Sequence, residues 1–353
     1  MTFGRFVAYA ALAGLCTVLA AGLWFDRAFH AMRVMPENTM MFVEPGGGIA
    51  KIGRDLETQG FIADARVFEI GARYMQWRYG GGGLKAGEYL MPGVASTRDI
   101  IRILRMGKTF QRRITIPEGL MAVEIIALIN AAEAMQGEIT DIPREGSLLP
   151  ETYHYTRGAH RADIVARMQK SMNAALEELW DKRAPGLPIK TPEEAIILAA
   201  IVEKETAIAA ERPRVAGVFV NRLRMGMKLQ TDPTVIYALT EGKTRLGRAL
   251  LRRDLEQVDS PYNTYKYAGL PPGPIANPGY ESLAAALNPE QHDFIYFVAD
   301  GTGGHAFAKT LQEHNRNVQR WRQVRKNPAP AAAPGPATPA AAETPADESN
   351  KNP

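Results

Sequence analysis

The chain opens with an apolar segment, after which apolar positions recur at the spacings of helices and strands. Residues 6–25 read FVAYAALAGLCTVLAAGLWF, without a charge, and a run of that length suits one helix across a bilayer. A cleaved signal peptide is the alternative, but it would end at small residues, whereas Trp24 and Phe25 are typical of a membrane interface. We therefore predict an uncleaved anchor that contacts lipid through residues 6–25, preceded by a cytoplasmic stub at residues 1–5.

Residues 38–113 have the pattern of a small α/β module. MFVEPGGGIAKIGRDLETQGF reads as a short strand, a glycine turn and an amphipathic helix. A second helix over DARVFEIGARYMQWRYG and a strand over LKAGEYLM follow. STRDIIRILRMG reads as a helix that Ser96 caps and Gly107 ends. Nothing in this module points to catalysis.

Residues 114–326 form a longer mixed region. HDFIYFVAD and HAFAKT flank the turn GTGG and predict a β-hairpin, followed by a closing helix over residues 311–325. This order of elements favours an α+β fold over a doubly wound sheet. Apolar spacing predicts further helices near residues 121–135, 162–180, 191–209, 212–225 and 233–240.

Composition predicts a disordered C-terminal segment and argues against nucleic-acid binding, a disulfide and a metal site. Residues 327–353 are rich in proline and alanine, which cannot build a core, so we predict disorder there. The net charge of +4 is too small and too evenly spread to indicate nucleic-acid binding. Cys16 is the only cysteine, so no intrachain disulfide can form. The histidines lack metal-ligand spacing, and we predict neither a metal nor a cofactor.

The central helix has a well-marked start. Thr191 can cap it, Pro192 suits the first turn, and Glu194 completes a capping box. Start signals that agree in this way also fix the rotational phase of the residues that follow.

Phase separates the two glutamates after the apolar run of this helix. At about 100° per residue from Ile197, Glu205 lies near ~80°, within the apolar stripe, whereas Glu203 lies near ~240°. Apolar surroundings disfavour the carboxylate and raise the pKa of Glu205 toward the range that a general acid needs. The alternative is a surface glutamate pairing with Lys204 or Arg212, and spacing alone leaves both open.

Two loops carry polar side chains suited to a ligand. Gln230 and Thr231 precede Asp232, which reads as the cap of the next helix, and capping alone explains its spacing. SPYNTYKYAGLPPGPIANPG, residues 260–279, is stiffened by prolines and predicts a rigid loop. A stiff loop with aromatics and amides suits a sugar groove, although a loop packed on the core is the alternative. Its Asn277 is predicted to cap the helix GYESLAAAL.

Five segments closely resemble one protein family. They are AAIVEKETAIAAERPRVAGVFVNRLRMGMKLQTDPTVIYAL, YNTY, GLPPGPIANPG, SLAAALNP and YFVADGTGGHAFAKTLQEHN. They look like the motifs of the endolytic murein transglycosylases, the MltG or YceG-like family, and the resemblance extends from the anchor to about residue 325. It implies one inner-membrane anchor, a LysM-like glycan-binding module over residues 38–113 and a periplasmic or extracytoplasmic catalytic domain over residues 114–326.

The resemblance also implies an activity and its residues. The activity is non-hydrolytic cleavage of the β-1,4 bond between N-acetylmuramic acid and N-acetylglucosamine within glycan strands. It leaves 1,6-anhydromuramyl ends and would terminate or trim strand elongation. Peptidoglycan strands are the implied substrate, and peptidoglycan synthases (penicillin-binding proteins) the implied partners. The family's catalytic glutamate falls on Glu205, and the sugar-binding residues are predicted to be Gln230, Thr231, Asp232, Asn263, Thr264, Tyr265 and Glu151.

Glu151 stands in LLPETYHY, where the family segment usually reads EGYLFPDTY, so aspartate is replaced by glutamate. Two other functions remain open from the residues. One is a membrane-anchored glycan-binding scaffold without activity. The other is a hydrolase that uses water, with Glu151 or Asp232 as the second carboxylate.

Overall fold

The computed structural model describes residues 3–36 and 38–326. The fold is mixed α+β, as predicted, with an apolar helix at the N-terminus. The predicted disordered tail at residues 327–353 lies outside the described residues, as do the first two residues of the predicted stub.

The first helix, α1 (Phe3–His30), is longer than the predicted segment 6–25 at both ends. Its last turns pack into the following module, where Phe29 is buried. Gly71 makes this contact close, because a Cβ on Gly71 would lie 2.3 Å from the Phe29 ring. The helix is long and apolar enough to cross a membrane once, a property that it shares with signal sequences.

The strands and helices predicted for the N-terminal module are present, with a further short strand pair. Ser96 caps its last helix through a capping box with Asp99, and Gly107 ends that helix with φ 67°, both as predicted. Strand β1 (Arg33–Val34) pairs antiparallel with β4 (Val94–Ala95), and β2 (Met40–Val43) pairs with β3 (Gly87–Leu90). The helices are α2 (Ile49–Thr58), α3 (Ala65–Tyr79) and α4 (Thr97–Met106).

A buried ion cluster joins strand β3 of this module to Arg112 and to Arg157 further along the chain. The carboxylate of Glu88 on β3 is almost fully buried, and it accepts bonds of 2.8 and 3.0 Å from Arg112. Arg157 adds a third bond of 3.1 Å. The Arg112 guanidinium holds the pKa of Glu88 below its usual range, so the carboxylate stays charged and paired.

The C-terminal region contains the predicted helices and hairpin. Its strands form two antiparallel pairs, β5 (Arg112–Thr115) with β6 (Thr152–Tyr155) and β7 (Tyr296–Ala299) with β8 (His305–Ala308). The helices are α5 (Ala122–Ala131), α6 (Arg161–Asp181), α7 (Pro192–Glu205), α8 (Arg212–Arg224), α9 (Asp232–Thr240), α10 (Arg252–Gln257), α11 (Tyr280–Leu287) and α12 (Leu311–Lys326). Helix α10 has no counterpart among the predicted elements.

Helix α7 is the centre of the main hydrophobic core. It packs against α6, α8, α9 and α11, and every residue from 195 to 202 is buried. The helix begins where predicted, because the Thr191 hydroxyl accepts a bond from the Glu194 N–H at 3.2 Å. The predicted capping box is wrong, since the Glu194 carboxylate accepts from the Lys190 N–H rather than from the Thr191 N–H. A single apolar stripe therefore does not exist on α7, since all of its faces are covered along this run.

Two predicted caps are wrong by one or two residues. The residue that caps α9 is Thr231, and Asp232 is the first helical residue. The cap of α11 is Gly279 rather than Asn277. The Asn277 amide is instead fully buried. Its polar atoms are satisfied there, because it accepts a bond from the Leu148 N–H at 3.0 Å and donates to the Leu120 carbonyl at 3.1 Å.

Candidate active site

Glu205 is the last residue of α7 and is half-buried. The Thr231 hydroxyl donates a hydrogen bond to its Oε1. Burial raises the pKa of Glu205 above its ordinary value, against the bond from Thr231, and the nearby charge of Asp232 raises it further. The predicted direction of the shift is therefore confirmed. A carboxyl that holds its proton is suited to donate it.

The chain direction changes sharply after Glu205. We predicted that this helix would continue to residue 209, but it ends at 205, where Thr206 adopts an extended conformation with φ −138°. The Thr206 hydroxyl accepts a bond of 3.1 Å from the Ile208 N–H, which offers the backbone an alternative to the next helical turn. Glu205 thus lies at the carboxyl end of α7, where the helix dipole also disfavours a negative charge.

Glu203 is the other glutamate of the triplet, and it is held in the interior. Its side chain is 6% exposed and lies 3.1 Å from the Arg212 guanidinium. It also accepts a bond of 3.0 Å from the Gly279 N–H, and Arg212 binds Glu118 as well, at 2.6 Å. Pairing with Arg212, considered above as a surface alternative, thus occurs at Glu203 and in the interior.

Arg222 on α8 forms a buried basic group near Glu205. Its guanidinium donates to the carbonyls of Ile295 at 2.7 Å and Leu229 at 2.6 Å. It also lies 5.3 Å from the centre of the Tyr296 ring. Its positive charge opposes the rise in the pKa of Glu205.

Three of the predicted binding residues come together beside Glu205. Thr231 bonds to it directly, and Asp232 accepts a bond of 2.6 Å from the Tyr265 hydroxyl. Burial, followed by the bond to Asp232, raises the pKa of Tyr265, so the phenol stays a donor. Asp232 is itself exposed, and its second carboxylate oxygen is available to a ligand.

Gln230 lies in the same loop with an exposed side chain. Its φ of 53° lies in the left-handed region, which is unusual for a residue other than glycine. Its backbone N–H donates to the Thr264 carbonyl at 3.2 Å, and this bond holds the conformation. Strain of this kind is often found at ligand-binding positions.

Asn263 and Thr264 lie beneath the surface rather than on it. The Asn263 amide donates to the carbonyls of Leu255 and Val258 at 3.1 and 2.8 Å, and its oxygen accepts from the Tyr265 N–H at 3.0 Å. The Thr264 hydroxyl accepts from the Thr231 N–H at 3.1 Å. Direct contact of either side chain with a sugar stays a prediction, and these bonds favour a role in shaping the loop.

Glu151 is exposed just before β6. Its carbonyl accepts a bond of 3.0 Å from the Ile116 N–H. Among the residues that the structure describes, no side-chain hydrogen bond connects Glu151 with Glu205. Its predicted binding role stays a prediction.

A cavity of about 380 Å³ opens beside the sequence neighbours of Glu205 and Asp232, namely Lys204 and Pro233. Apolar and aromatic side chains share its lining with basic groups and with Glu124, a composition suited to a sugar with polar substituents. Among the residues that line it are Leu120, Ile236, Tyr237, Arg245 and Ile275.

Sequence reasoning missed two buried carboxyls, Glu145 and Glu211. Glu211 pairs with His305 across 94 residues, and no local spacing indicates such a pair. Glu145 accepts bonds from the Ala122 N–H at 2.9 Å and the Asn277 amide at 2.6 Å. Burial raises the pKa of Glu145 to about 7, although both hydrogen bonds oppose the rise.

Glu145 is expected to make stability depend on pH. Because the folded-state pKa of Glu145 is raised, the stability that its protonated form contributes is fully present below about pH 4.5. That stability is lost as pH rises through about 7. The loss is at most about 3 kcal/mol, reduced by partial exposure. Glu145→Gln should therefore lose less stability than the parent between pH 5 and pH 8 in thermal unfolding. The exposed Glu138→Gln is the control, and equal pH dependence of all three proteins would contradict the prediction.

Comparison with known proteins shows the family of the chain. A model of the YceG-like family matches residues 41–320. A Bacillus subtilis (strain 168) protein named endolytic murein transglycosylase is 32% identical over 311 residues, which cover 79% of this chain and 83% of the relative. A relative of the same name from Streptococcus pneumoniae (strain D39) is 29% identical over 355 residues, or 85% of this chain and 62% of the relative.

A crystal structure of a YceG-like protein from Listeria monocytogenes is also similar, with 32% identity. The similarity covers 79% of this chain and 98% of that chain, with a TM-score of 0.47. The family model spans most of the chain, and the named relatives are lytic transglycosylases. The chain therefore belongs to the YceG-like family.

Proposed function

We propose that the protein is an endolytic lytic transglycosylase that cleaves the bond between N-acetylmuramic acid and N-acetylglucosamine within peptidoglycan strands. The observation that carries the proposal is Glu205, half-buried, with a raised pKa and bonded to Thr231. The cavity lined by its sequence neighbour Lys204 supports it. The names of the relatives supply the reaction class.

Glu205 acts first as an acid and then as a base. It gives its proton to the glycosidic oxygen as the bond from that oxygen to C1 of the muramic acid breaks, and the glucosamine leaves with a hydroxyl. The Glu205 carboxylate then takes the proton of the muramic acid C6 hydroxyl while O6 bonds to C1. No water is consumed, and Glu205 ends protonated, so one carboxyl suffices where a hydrolase normally uses two.

The groups around Glu205 hold the sugars. The Tyr265–Asp232 pair presents acceptor oxygens, because the Tyr265 hydroxyl already donates its hydrogen to Asp232, and Gln230 presents an amide from its strained backbone. These polar groups read the hydroxyl and N-acetyl substituents, while the apolar wall of the cavity packs on the faces of the rings.

The N-terminal helix and the module that follows it determine where in the cell the catalytic domain works. Helix α1 anchors the protein in the inner membrane, and the LysM-like module at residues 38–113 binds glycan beside the periplasmic catalytic domain at residues 114–326. Cleavage near the membrane would end strand elongation, in cooperation with peptidoglycan synthases of the penicillin-binding class. If deletion of the module left binding to purified peptidoglycan unchanged, its glycan-binding role would be lost.

The mass of the products tests the reaction. Purified full-length protein is incubated with uncrosslinked glycan strands, and the fragments are analysed by mass spectrometry. The expected muramic ends are anhydro forms, one water lighter than hydrolysed ends. Hydrolysed ends would make the protein a hydrolase, with Glu151 or Asp232 as the second carboxylate, and the absence of fragments would make it a scaffold.

The pH dependence follows from the raised pKa of Glu205. The first step needs the protonated form, so kcat/KM should fall as pH rises through that raised pKa. The decline should begin at a higher pH than it would for a carboxyl in water. Initial rates of anhydro-end formation between pH 4 and pH 9 measure this decline in kcat/KM. A decline centred at the pKa of a free glutamate would contradict the assignment of Glu205 as the acid.

A further inference from the structure

The cavity that Lys204 lines carries charges that neutral sugar rings do not explain. Its lining includes Lys204 from α7, Arg245 and Arg248 from the segment after α9, and the single carboxylate of Glu124. The hydroxyl and N-acetyl groups of the rings carry no charge. Because cations that line a cavity attract anionic groups of a substrate, these side chains indicate an anionic ligand.

The segment between α9 and α10 is strongly basic. Residues 241–253 contain five basic side chains and one acidic one. The segment is held against the first turn of α5, because Arg245 pairs with the Glu124 carboxylate. Arg248 is fixed by two bonds, of 2.6 and 3.0 Å, to the almost fully buried carboxylate of Asp254. The cations of this segment that line the cavity therefore have defined positions.

Lys204 is the cation of this group that has no carboxylate partner among the residues that the structure describes. Its Nζ donates to the Gly119 carbonyl at 3.1 Å, and the residue is exposed. An ammonium group has three hydrogens to donate, so two of them are available to a ligand.

Chain connections place the cavity within reach of the bond to be cleaved. Lys204 directly precedes Glu205, so their Cα atoms are about 3.8 Å apart. Pro233 also lines the cavity, two residues after Thr231, whose hydroxyl donates to Glu205. A peptide of about five residues spans up to roughly 17 Å when extended. A peptide attached to the muramic acid at the cleaved bond is therefore long enough to reach the cavity.

We propose that this cavity binds the carboxylates of the short peptide that muramic acid carries on its lactyl group, so that the protein prefers peptide-bearing to bare strands. The inference rests on the proposed function. The peptide offers several carboxylates, whereas a bare strand offers one at each muramic acid, on the lactyl group itself. Three cations from α7 and from segment 241–253 suit the peptide better, because each carboxylate can pair with a different side chain.

A role of these cations in folding alone is the competing explanation. The pairs of Arg245 with Glu124 and of Arg248 with Asp254 would then serve only to hold segment 241–253. The ratio of kcat/KM for peptide-bearing strands to kcat/KM for bare strands separates the two explanations. A change in the folded fraction, or in the acid itself, affects both substrates equally and leaves this ratio unchanged.

The test uses full-length Lys204→Gln and Arg245→Gln on uncrosslinked strands, before and after enzymatic removal of the peptides. We expect the parent to favour peptide-bearing strands by about tenfold, as two or three exposed ion pairs would give. Each variant should lower that ratio by about 2- to 5-fold, the range for one such pair. The preference of the parent should also decline as salt is raised, because exposed charges are screened.

Arg252→Gln is the matched control. Arg252 belongs to the same basic segment, but its side chain is 90% exposed, pairs with Glu256 and is outside the lining of the cavity. We expect this variant to keep the parent ratio. An equal fall in the ratio for Arg252→Gln would assign the preference to the overall charge of the segment and overturn the binding role of the cavity.

The inference is also overturned if the parent cleaves both kinds of strand with equal kcat/KM, or if Lys204→Gln and Arg245→Gln keep the parent ratio. Failure of the proposed function looks different, because the parent then makes no anhydro ends from either substrate. In that case the affinity for fluorescently labelled strands of both kinds, measured by anisotropy, still tests the preference. Equal affinities would overturn it.

Discussion

Glu205→Gln is expected to reduce anhydro-end formation by about 10²- to 10⁴-fold, the range typical for loss of a general acid. Glutamine keeps the size of the side chain, and its carbonyl oxygen can still accept the bond from Thr231. It cannot supply a proton to the glycosidic oxygen or take one from the C6 hydroxyl. Because a buried carboxyl that resists ionisation is replaced by a neutral amide, folding should be retained or improved. Initial rates from uncrosslinked glycan, with products identified by mass, provide the measurement.

Glu151→Gln is the matched control for this change. It alters another carboxyl of the predicted site, but one that is exposed and has no bond to Glu205 in the described part of the chain. We expect the Glu151 variant to keep a rate within about tenfold of the parent, as for a residue that binds rather than reacts. Parent-like rates for Glu205→Gln would contradict the assignment. Loss of activity in both variants, with hydrolysed ends from the parent, would favour two-carboxylate hydrolysis.

Local signals in the sequence predicted the starts of α4 and α7 better than the end of α7. The starts of α4 and α7 depend on a capping residue and its third neighbour, which the sequence displays directly. The end of α7 depends on the Thr206 hydroxyl bonding to the Ile208 N–H, a choice between two local conformations that apolar periodicity does not reveal. The predicted helix therefore ran four residues too far, to the first residue of the turn that carries Glu211.

The candidate site shows the same limit in three dimensions. Phase distinguished Glu205 from Glu203, but the burial of α7 on all sides means that an apolar stripe is not the cause of the raised pKa. The surroundings of Glu205 come from Thr231 and Asp232 at the start of α9 and from His305, which follows about a hundred residues after the helix. Contacts between such distant segments are set by tertiary packing, so spacing in the sequence does not predict them.

The buried cluster of Arg212, Glu203 and Glu118 should be the most costly ion pair to break. Arg212→Met leaves the Glu203 carboxylate, 6% exposed, without a cation. Removal of one partner from a buried pair costs about 3–5 kcal/mol. For a region of this size that corresponds to a fall in Tm of roughly 6–20 °C. Arg214→Met, two residues further along α8, removes a half-exposed pair with Glu290 and should cost about 0–1 kcal/mol.

The double variant Arg212→Met with Glu203→Gln separates loss of charge balance from loss of packing. Glutamine at position 203 carries no charge, and its oxygen can still accept the 3.0 Å bond from the Gly279 N–H. We therefore expect it to recover most of the lost stability, because replacing both members of a buried pair by neutral groups is often neutral. If the double variant stayed as unstable as Arg212→Met, packing of the arginine rather than its charge would be responsible. The cluster connects the end of α7 with the starts of α8 and α11. If Arg212→Met lost no more stability than Arg214→Met, the cluster would not stabilise this junction.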